Sequence, residues 1–257
     1  MGLFDRFKKK DEPKDPLTFS ELWDFYLCKK PDLNYFIRFD MSLSDLAKDE
    51  RAKYPHIIEL RIPYERERMD LLNVVEDAFN PGGYNVRMIG ALTDDSFRHF
   101  VFCYGGTRTD ADKIVEKLMS ASKNVDFYFE VFTDDNWSYY DKIIAPNAYE
   151  RNWMENNHLC RNLKENGEAF EKPRAIDFYM YFASEAHVQD VADKLSEKGF
   201  AEAASYKAEN GEFMLHLVLE AVPSFMYMDK LTDEIIELLN GTDGYFDGWG
   251  CPVVRVT

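Results

Sequence analysis

The side chains best suited to chemistry are few and poorly grouped. Five histidines (His56, His99, His158, His187, His216) and four cysteines (Cys28, Cys103, Cys160, Cys251) are spread over 257 residues. Only His158 and Cys160 lie close in sequence, and two residues that far apart on a helix point about 200° apart, too far to share a metal. The cysteines form no CxxC pair and match neither a zinc site nor a disulfide framework. Three of them sit in apolar surroundings, where a thiol packs as a small buried group. The acidic pairs Asp94-Asp95 and Asp134-Asp135 each open a loop and lack the further oxygens of a calcium loop, so turn formation is their expected role. No phosphate-cradling glycine loop, HExxH or GxSxG stands in the chain, and Gly82-Gly83 and Gly105-Gly106 read as turn glycines. The residues therefore predict no catalytic, cofactor-binding or metal site, and no enzyme.

Aromatic side chains are the more informative group. Tyr128, Phe132, Trp137, Tyr139, Tyr140, Tyr149 and Trp153 crowd one region. Exposed aromatics on a sheet can stack bases, but that chemistry wants Lys and Arg nearby. Here the neighbours are Asp126, Glu130, Asp134 and Asp135, so packing is the expected role. A second group, Tyr245-Phe246-Asp247-Gly248-Trp249-Gly250, closes the chain. Gly248 and Gly250 could permit a tight helix-to-strand corner and Trp249 could plug a core.

These residues need elements to hold them. Aromatic-rich strands are expected at 23–28 and 35–39, able to pair as a hairpin. Then come a strand at 56–64, a helix at 69–79 stopped by Pro81-Gly82-Gly83, and strands at 84–92 and 97–104 joined by Thr93-Asp94-Asp95-Ser96. A helix at 110–120 and a strand at 125–132 follow. A helical, polar-aromatic stretch covers 137–166, and 167–173 reads as a boundary. The same order then repeats: strand 175–182, helix 184–198 with Gly199 as its stop, and strands 200–207 and 213–221 around an Asn210-Gly211 turn. Helix 228–239 and a closing strand at 253–256 complete it. His99 and His216 fall on the third strand of each set, where solvent-facing or hydrogen-bonded structural roles are expected.

Two successive β-α-β-β-α-β orders predict an α+β protein of two ferredoxin-like domains, the first with an extra N-terminal hairpin. The expected divisions are a polar leader at 1–19, a first domain at 20–166 with the helical segment trailing it, and a second domain at 173–257.

Composition narrows the partners. The formal net charge is −16, from 47 acidic and 31 basic side chains, which repels phosphate backbones. Direct nucleic-acid binding is therefore not expected, whereas a basic protein partner suits such a surface. No apolar run is long enough to span a bilayer. The opening MGLFDRFKKK lacks the apolar core of a signal peptide and offers at most a short face of Leu3, Phe4 and Phe7 beside basic residues. A cytoplasmic location is expected.

The Asp247-Gly248-Trp249-Gly250 stretch after the last helix, with the strand at 175–182 and the helix following it, resembles the family called regulator of ribonuclease E activity B. That resemblance covers about 173–257. The first unit and its hairpin, with Trp23-Asp24-Phe25-Tyr26 and the stretch from Trp137 to Tyr140, resembles the bacterial domain of unknown function DUF695, which brings no activity. The first resemblance implies a non-catalytic protein that binds a ribonuclease and dampens RNA cleavage. It makes Asp247, Gly248, Trp249 and Gly250 the candidate interaction residues, and it implies no cofactor. Residues 173–257 hold 15 acidic and 6 basic side chains, a net −9, enough to meet a basic segment and compete with RNA for it. The strongly acidic tail of the familiar regulator is missing. The alternative reading is a sensing or assembly module that forms a homodimer through exposed sheets.

Overall fold

The computed structural model describes residues 22–30, 33–63, 86–121 and 128–255. The chain divides into two units, Met1–Pro146 and Asn147–Thr257. The expected leader at 1–19 and the helix at 69–79 lie outside the described residues.

In the first unit, β1 (Trp23–Lys30) and β2 (Leu33–Asp40) pair as the expected antiparallel hairpin. β3 (His56–Pro63), β4 (Val86–Thr93), β5 (Phe97–Tyr104) and β6 (Tyr128–Thr133) complete one six-stranded sheet in the order β1-β2-β4-β5-β3-β6. Asp94 makes the β4–β5 turn, its Oδ1 accepting the amides of Ser96 and Phe97 at 2.6 Å each. Thr107 caps α1 (Arg108–Ala121), its Oγ1 accepting the Asp110 amide at 3.3 Å.

Both faces of this sheet are covered. On one, Ala111 and Val115 of α1 pack with Ile58, Leu60, Val86, Met88, Phe100, Phe102 and Val131. The other face holds Ile37, Phe39, Ile57, Val101 and Cys103, all buried. It is covered by the segment 134–146, which ends in one π-helical turn, Tyr140–Ile144. Asp134 caps that segment by accepting the Ser138 and Tyr139 amides at 2.9 and 2.7 Å. Trp137 and Tyr140 are wholly buried there. Their polar tips donate to backbone carbonyls, Trp137 Nε1 to Arg51 at 2.9 Å and Tyr140 Oη to Asp40 at 2.7 Å. Gly90 lets the segment approach, since a Cβ there would stand 2.6 Å from Ile144 Cγ2. A second tie is the buried Arg87–Asp40 ion pair.

The second unit opens with α2 (Ala148–Glu165), started by a capping box in which Asn147 and Glu150 satisfy each other's amides at 2.9 Å. β7 (Arg174–Phe182), α3 (Val188–Ser196), β8 (Ala201–Lys207), β9 (Phe213–Ala221), α4 (Phe225–Leu239) and β10 (Gly244–Gly250) follow. The sheet is antiparallel in the order β10-β7-β9-β8. β6-β3-β5-β4 of the first sheet follows the same sequence of first, second, third and fourth strands, so both units are consistent with ferredoxin-like domains. α3 buries Val188, Val191, Ala192 and Leu195, and α4 buries Met228, Thr232, Ile235 and Leu239, against the inward row Ile176, Phe178, Met180 and Phe182 of β7.

Two expectations need correcting. The helical stretch expected at 137–166 as the trailing part of the first domain is divided, since 148–165 packs on α4 and belongs to the second unit. Its buried stripe of Asn152, Asn156, Cys160 and Leu163 needs the partner that α4 supplies. The closing strand was expected at 253–256, yet the strand that closes the sheet is Gly244–Gly250. Beyond it, among the described residues, an isolated bridge joins Arg255 to Glu168.

That last segment is held by a buried carboxylate. Glu168 is paired with Arg174, whose Nη2 donates to Oε1 at 2.8 Å, and it also accepts the amides of Phe170 at 2.6 Å and Val254 at 2.7 Å. The Arg174 guanidinium, aided by the two amides, outweighs the effect of burial and holds the carboxyl down to about 2. A depressed folded-state value means that the pair's stabilisation is full above the carboxylate's ordinary range, about pH 4.5, and fades as pH falls towards 2. Glu168→Gln is expected to cost about 3–5 kcal/mol in urea unfolding at pH 7, by leaving Arg174 buried without its counter-charge. The variant should also lack the part of the acid destabilisation between pH 4.5 and 2 that wild type shows in the same titration.

Candidate functional site

The four candidate residues do two different jobs, and a β-bulge separates them. β10 pairs with β7 through Gly244↔Phe182, Tyr245↔Tyr181 and Phe246↔Met180, then slips by one residue and resumes with Gly248↔Tyr179, Trp249↔Phe178 and Gly250↔Asp177. Asp247 is the extra residue. In an unbroken strand Phe246, Gly248 and Gly250 would share a face. The bulge resets the alternation so that Phe246 and Trp249, three apart, both face the helices. Gly248 carries a φ of +142°, a conformation that side-chain-bearing residues adopt only under strain. The motif is thus an edge strand rather than the expected corner, while the expectation that Trp249 plugs the core is met: it is 8% exposed.

The Trp249 indole is the end of a buried polar ladder between α2 and α4. Trp249 Nε1 donates to Asn156 Oδ1 at 2.6 Å. Asn156 Nδ2 donates to Asp229 Oδ1 and Thr232 Oγ1, both at 2.9 Å. Asn152 Nδ2 also donates to Thr232 Oγ1, at 2.6 Å, and that hydroxyl donates on to the Met228 carbonyl at 2.7 Å. Trp153 Nε1 reaches the Asp233 carboxylate at 2.9 and 3.0 Å. Burial pushes the Asp229 and Asp233 carboxyls above their ordinary values, against the pull of Asn156 and Trp153 respectively.

The other face of this sheet is partly exposed and rich in aromatic side chains, with Met214 buried between Tyr181 and Tyr206. Tyr179 and Tyr181 of β7, His216 of β9, Tyr206 of β8 and Tyr245 of β10 lie on it. Tyr206 is 57% and Tyr245 48% exposed. The Tyr179 ring stacks on His216 with centroids 4.7 Å apart, and Tyr181 stacks on Tyr245 at 5.8 Å. His216 Nε2 donates to Asp177 Oδ1 at 2.7 Å, the hydrogen-bonded role expected for it. Burial, then the nearby Asp177 charge, raises the Tyr179 hydroxyl above its ordinary value, and burial, then Glu212, does the same for Tyr245. A Cβ added at Gly248 or Gly250 would meet no atom within 4 Å, so open space adjoins Tyr179 and Asp177.

Among the described residues of the first unit, a titratable cluster gathers around Glu59. His99 Nδ1 donates to Glu59 Oε1 at 2.6 Å, Tyr139 Oη donates to Glu59 Oε2 at 3.2 Å, and His99 Nε2 stands 3.6 Å from Asp94. Burial works to raise the Glu59 carboxyl, but the His99 and Tyr139 contacts outweigh it and keep it low. Among the described residues no group of three or more His, Cys, Asp or Glu side chains could hold a metal ion. Cys28, Cys103 and Cys160 are buried thiols. Burial pushes the Cys160 thiol up to about 12, which leaves it inert. No helix among the described residues is long and apolar enough to cross a membrane.

Residues 153–251 match the family model Regulator of ribonuclease activity B. Residues 21–144 match that of a family of unknown function, DUF695. The first match starts inside α2 and ends just past β10, so it takes in Asn156, Asp229, Thr232 and Trp249. The second spans β1 to β6 and the segment that ends at Ile144. A search of curated proteins finds no match. One solved structure, assigned to a glycine cleavage system transcriptional repressor, is 7% identical over 77% of this chain and 98% of its own, with a TM-score of 0.24. A similarity of that size carries no argument.

Of the residues expected to act, Trp249 goes to the core, while Gly248 and Gly250 border the open face. That Tyr179, Tyr181, Tyr206, His216 and Tyr245 share one face was not expected, although His216 and Tyr245 were each singled out. Their signal was present in β7, where Asp177, Tyr179 and Tyr181 alternate with Ile176, Phe178, Met180 and Phe182. Trp249→Phe removes the donor to Asn156, and Gly248→Ala forces a strained φ. Each is expected to lower the stability of the protein by about 1–3 kcal/mol in urea unfolding.

Proposed function

We propose that this chain is a non-catalytic regulatory protein that binds a ribonuclease or RNA-decay assembly in the cytoplasm and inhibits it through an acidic surface. In this reading the chain carries two ferredoxin-like domains, and the second is the working part. The observation that carries the reading is the match of residues 153–251 to the ribonuclease-regulator family, a range that contains the whole of the second sheet. The net −9 of residues 173–257 supports the choice of a basic partner. Basic segments of ribonucleases hold RNA by its phosphates, and an acidic protein can occupy the same cations.

A second reading, assembly of two copies through exposed sheets, draws on β8. This edge strand leaves every side chain but Ala204 exposed, and an edge offers unpaired amides and carbonyls to another strand. Sedimentation at several concentrations separates the two, since a monomer throughout removes the assembly reading.

The direct test is cleavage of RNA by the host's main endoribonuclease, with and without the protein, across a salt series. Inhibition that weakens as salt rises is expected. Undiminished cleavage at every salt concentration would overturn the ribonuclease reading.

A further inference from the structure

We propose that the open face of the second sheet binds arginine side chains of a basic protein segment, with the tyrosines stacking the guanidinium groups and the bordering carboxylates pairing with them. The inference rests on the proposed regulatory reading and names the part of the surface that would perform it.

Three features of the face select the occupant. The first is the set of rings. Tyr181 and Tyr245 are stacked with an interplanar angle of 21°, and Tyr179 and His216 with one of 18°. Near-parallel rings present π-faces and edges on which a planar cation lies well, and guanidinium stacks on aromatic rings better than ammonium does.

The second feature is charge. Asp177 lies on the face itself. Glu212 stands at the β8–β9 turn, its Oε2 accepting a hydrogen bond from Tyr245 Oη at 3.4 Å. Glu220 sits opposite Ala175, and Asp247 projects from the bulge beside Tyr245. Among the described strand residues, this face has neither Lys nor Arg: Lys207 lies over the Phe213 ring, and Phe213 pairs with Phe182 in the inward row. Rings that stack bases need cations for the phosphates, so an RNA strand meets repulsion here. A second copy of the same face meets repulsion too. A cationic peptide meets neither.

The third feature is room. Gly248 and Gly250 lie across from Tyr179 and Asp177 with open space where a Cβ would be. A side chain entering there reaches a ring and a carboxylate together, which suits a forked, planar cation.

The test uses the full chain and three fluorescent probes: four repeats of Arg-Gly-Ser, four repeats of Lys-Gly-Ser, and a single-stranded oligouridylate of matching length. Anisotropy at low salt is expected to show the arginine peptide binding at least about fivefold more tightly than the lysine peptide. The pair Tyr181→Ala, Tyr245→Ala should weaken the arginine peptide about tenfold. The pair Tyr181→Phe, Tyr245→Phe should restore most of the binding, because the rings remain. Removing two negative charges on α3, with Asp190→Asn and Asp193→Asn, should leave it within about twofold.

Equal binding of the arginine and lysine peptides, unaffected by the Ala pair, would overturn the proposal and leave only diffuse charge attraction. Preferential binding of the oligouridylate, lost in the Ala pair, would also overturn it in favour of a nucleic-acid face. None of these probes contains a ribonuclease. A wild-type protein that binds the arginine peptide as expected but fails to slow RNA cleavage would therefore sink the regulatory reading and not the arginine site.

Discussion

The indole N–H of Trp249 is a donor with no acceptor function, and in a buried position it must be given an oxygen. Asn156 supplies one at 2.6 Å, and that choice decides which way the amide points. The amide nitrogen is then committed to Asp229 and Thr232, so the position of α2 along α4 follows from a strand at the far end of the unit. Apolar packing alone tolerates a helix sliding by a residue or rotating by some degrees. A ladder of buried amides, hydroxyls and carboxylates does not, because each broken contact leaves a desolvated polar atom at a cost of about 1–3 kcal/mol. The bulge at Asp247 and the positive φ of Gly248 serve this arrangement by aiming Trp249 inward.

The two units share a strand order and differ in what covers their sheets. In the first, α1 takes one face and the segment 134–146 takes the other, with Gly90 making space for Ile144. In the second, α3 and α4 take one face, α2 backs α4, and the outer face keeps its tyrosines in solvent. A sheet buried on both sides contributes stability. A sheet with one aromatic, acidic face leaves a surface open as well.

Much of the scaffold was legible because local chemistry and tertiary structure agree. Asp94 and the Asn210-Gly211 pair announced their hairpins, Gly199 ended its helix at a φ of +93°, and apolar runs bounded by turn residues gave β3, β5, β7 and β9 nearly to the residue. The misreadings share a cause. A glycine-rich strand interrupted by a bulge has neither the composition nor the period of a strand, so the sequence pattern points to a corner at 247–250 and a strand at 253–256. Helix 148–165 was visible as a helix, but its side of the boundary depends on Asn152 and Asn156 meeting Thr232, a contact that spans 80 and 76 residues respectively. The open face combines alternate residues of four strands, and only the pairing register brings Tyr179, Tyr181, His216, Tyr206 and Tyr245 together.

The order of strands in the second unit also bears on how it assembles. β8 and β9 meet across a short turn, so their pairing closes a small loop and loses little chain entropy. β10 pairs with β7, the first strand of that sheet, and can do so only once the intervening chain has been gathered in. The indole that locks α2 against α4 therefore arrives with the last strand. The pairing of β10 with β7 and the satisfaction of the Asn156 oxygen thus hang on one residue, so loss of the last strand's pairing also leaves a buried amide without its donor and unlocks α2 from α4.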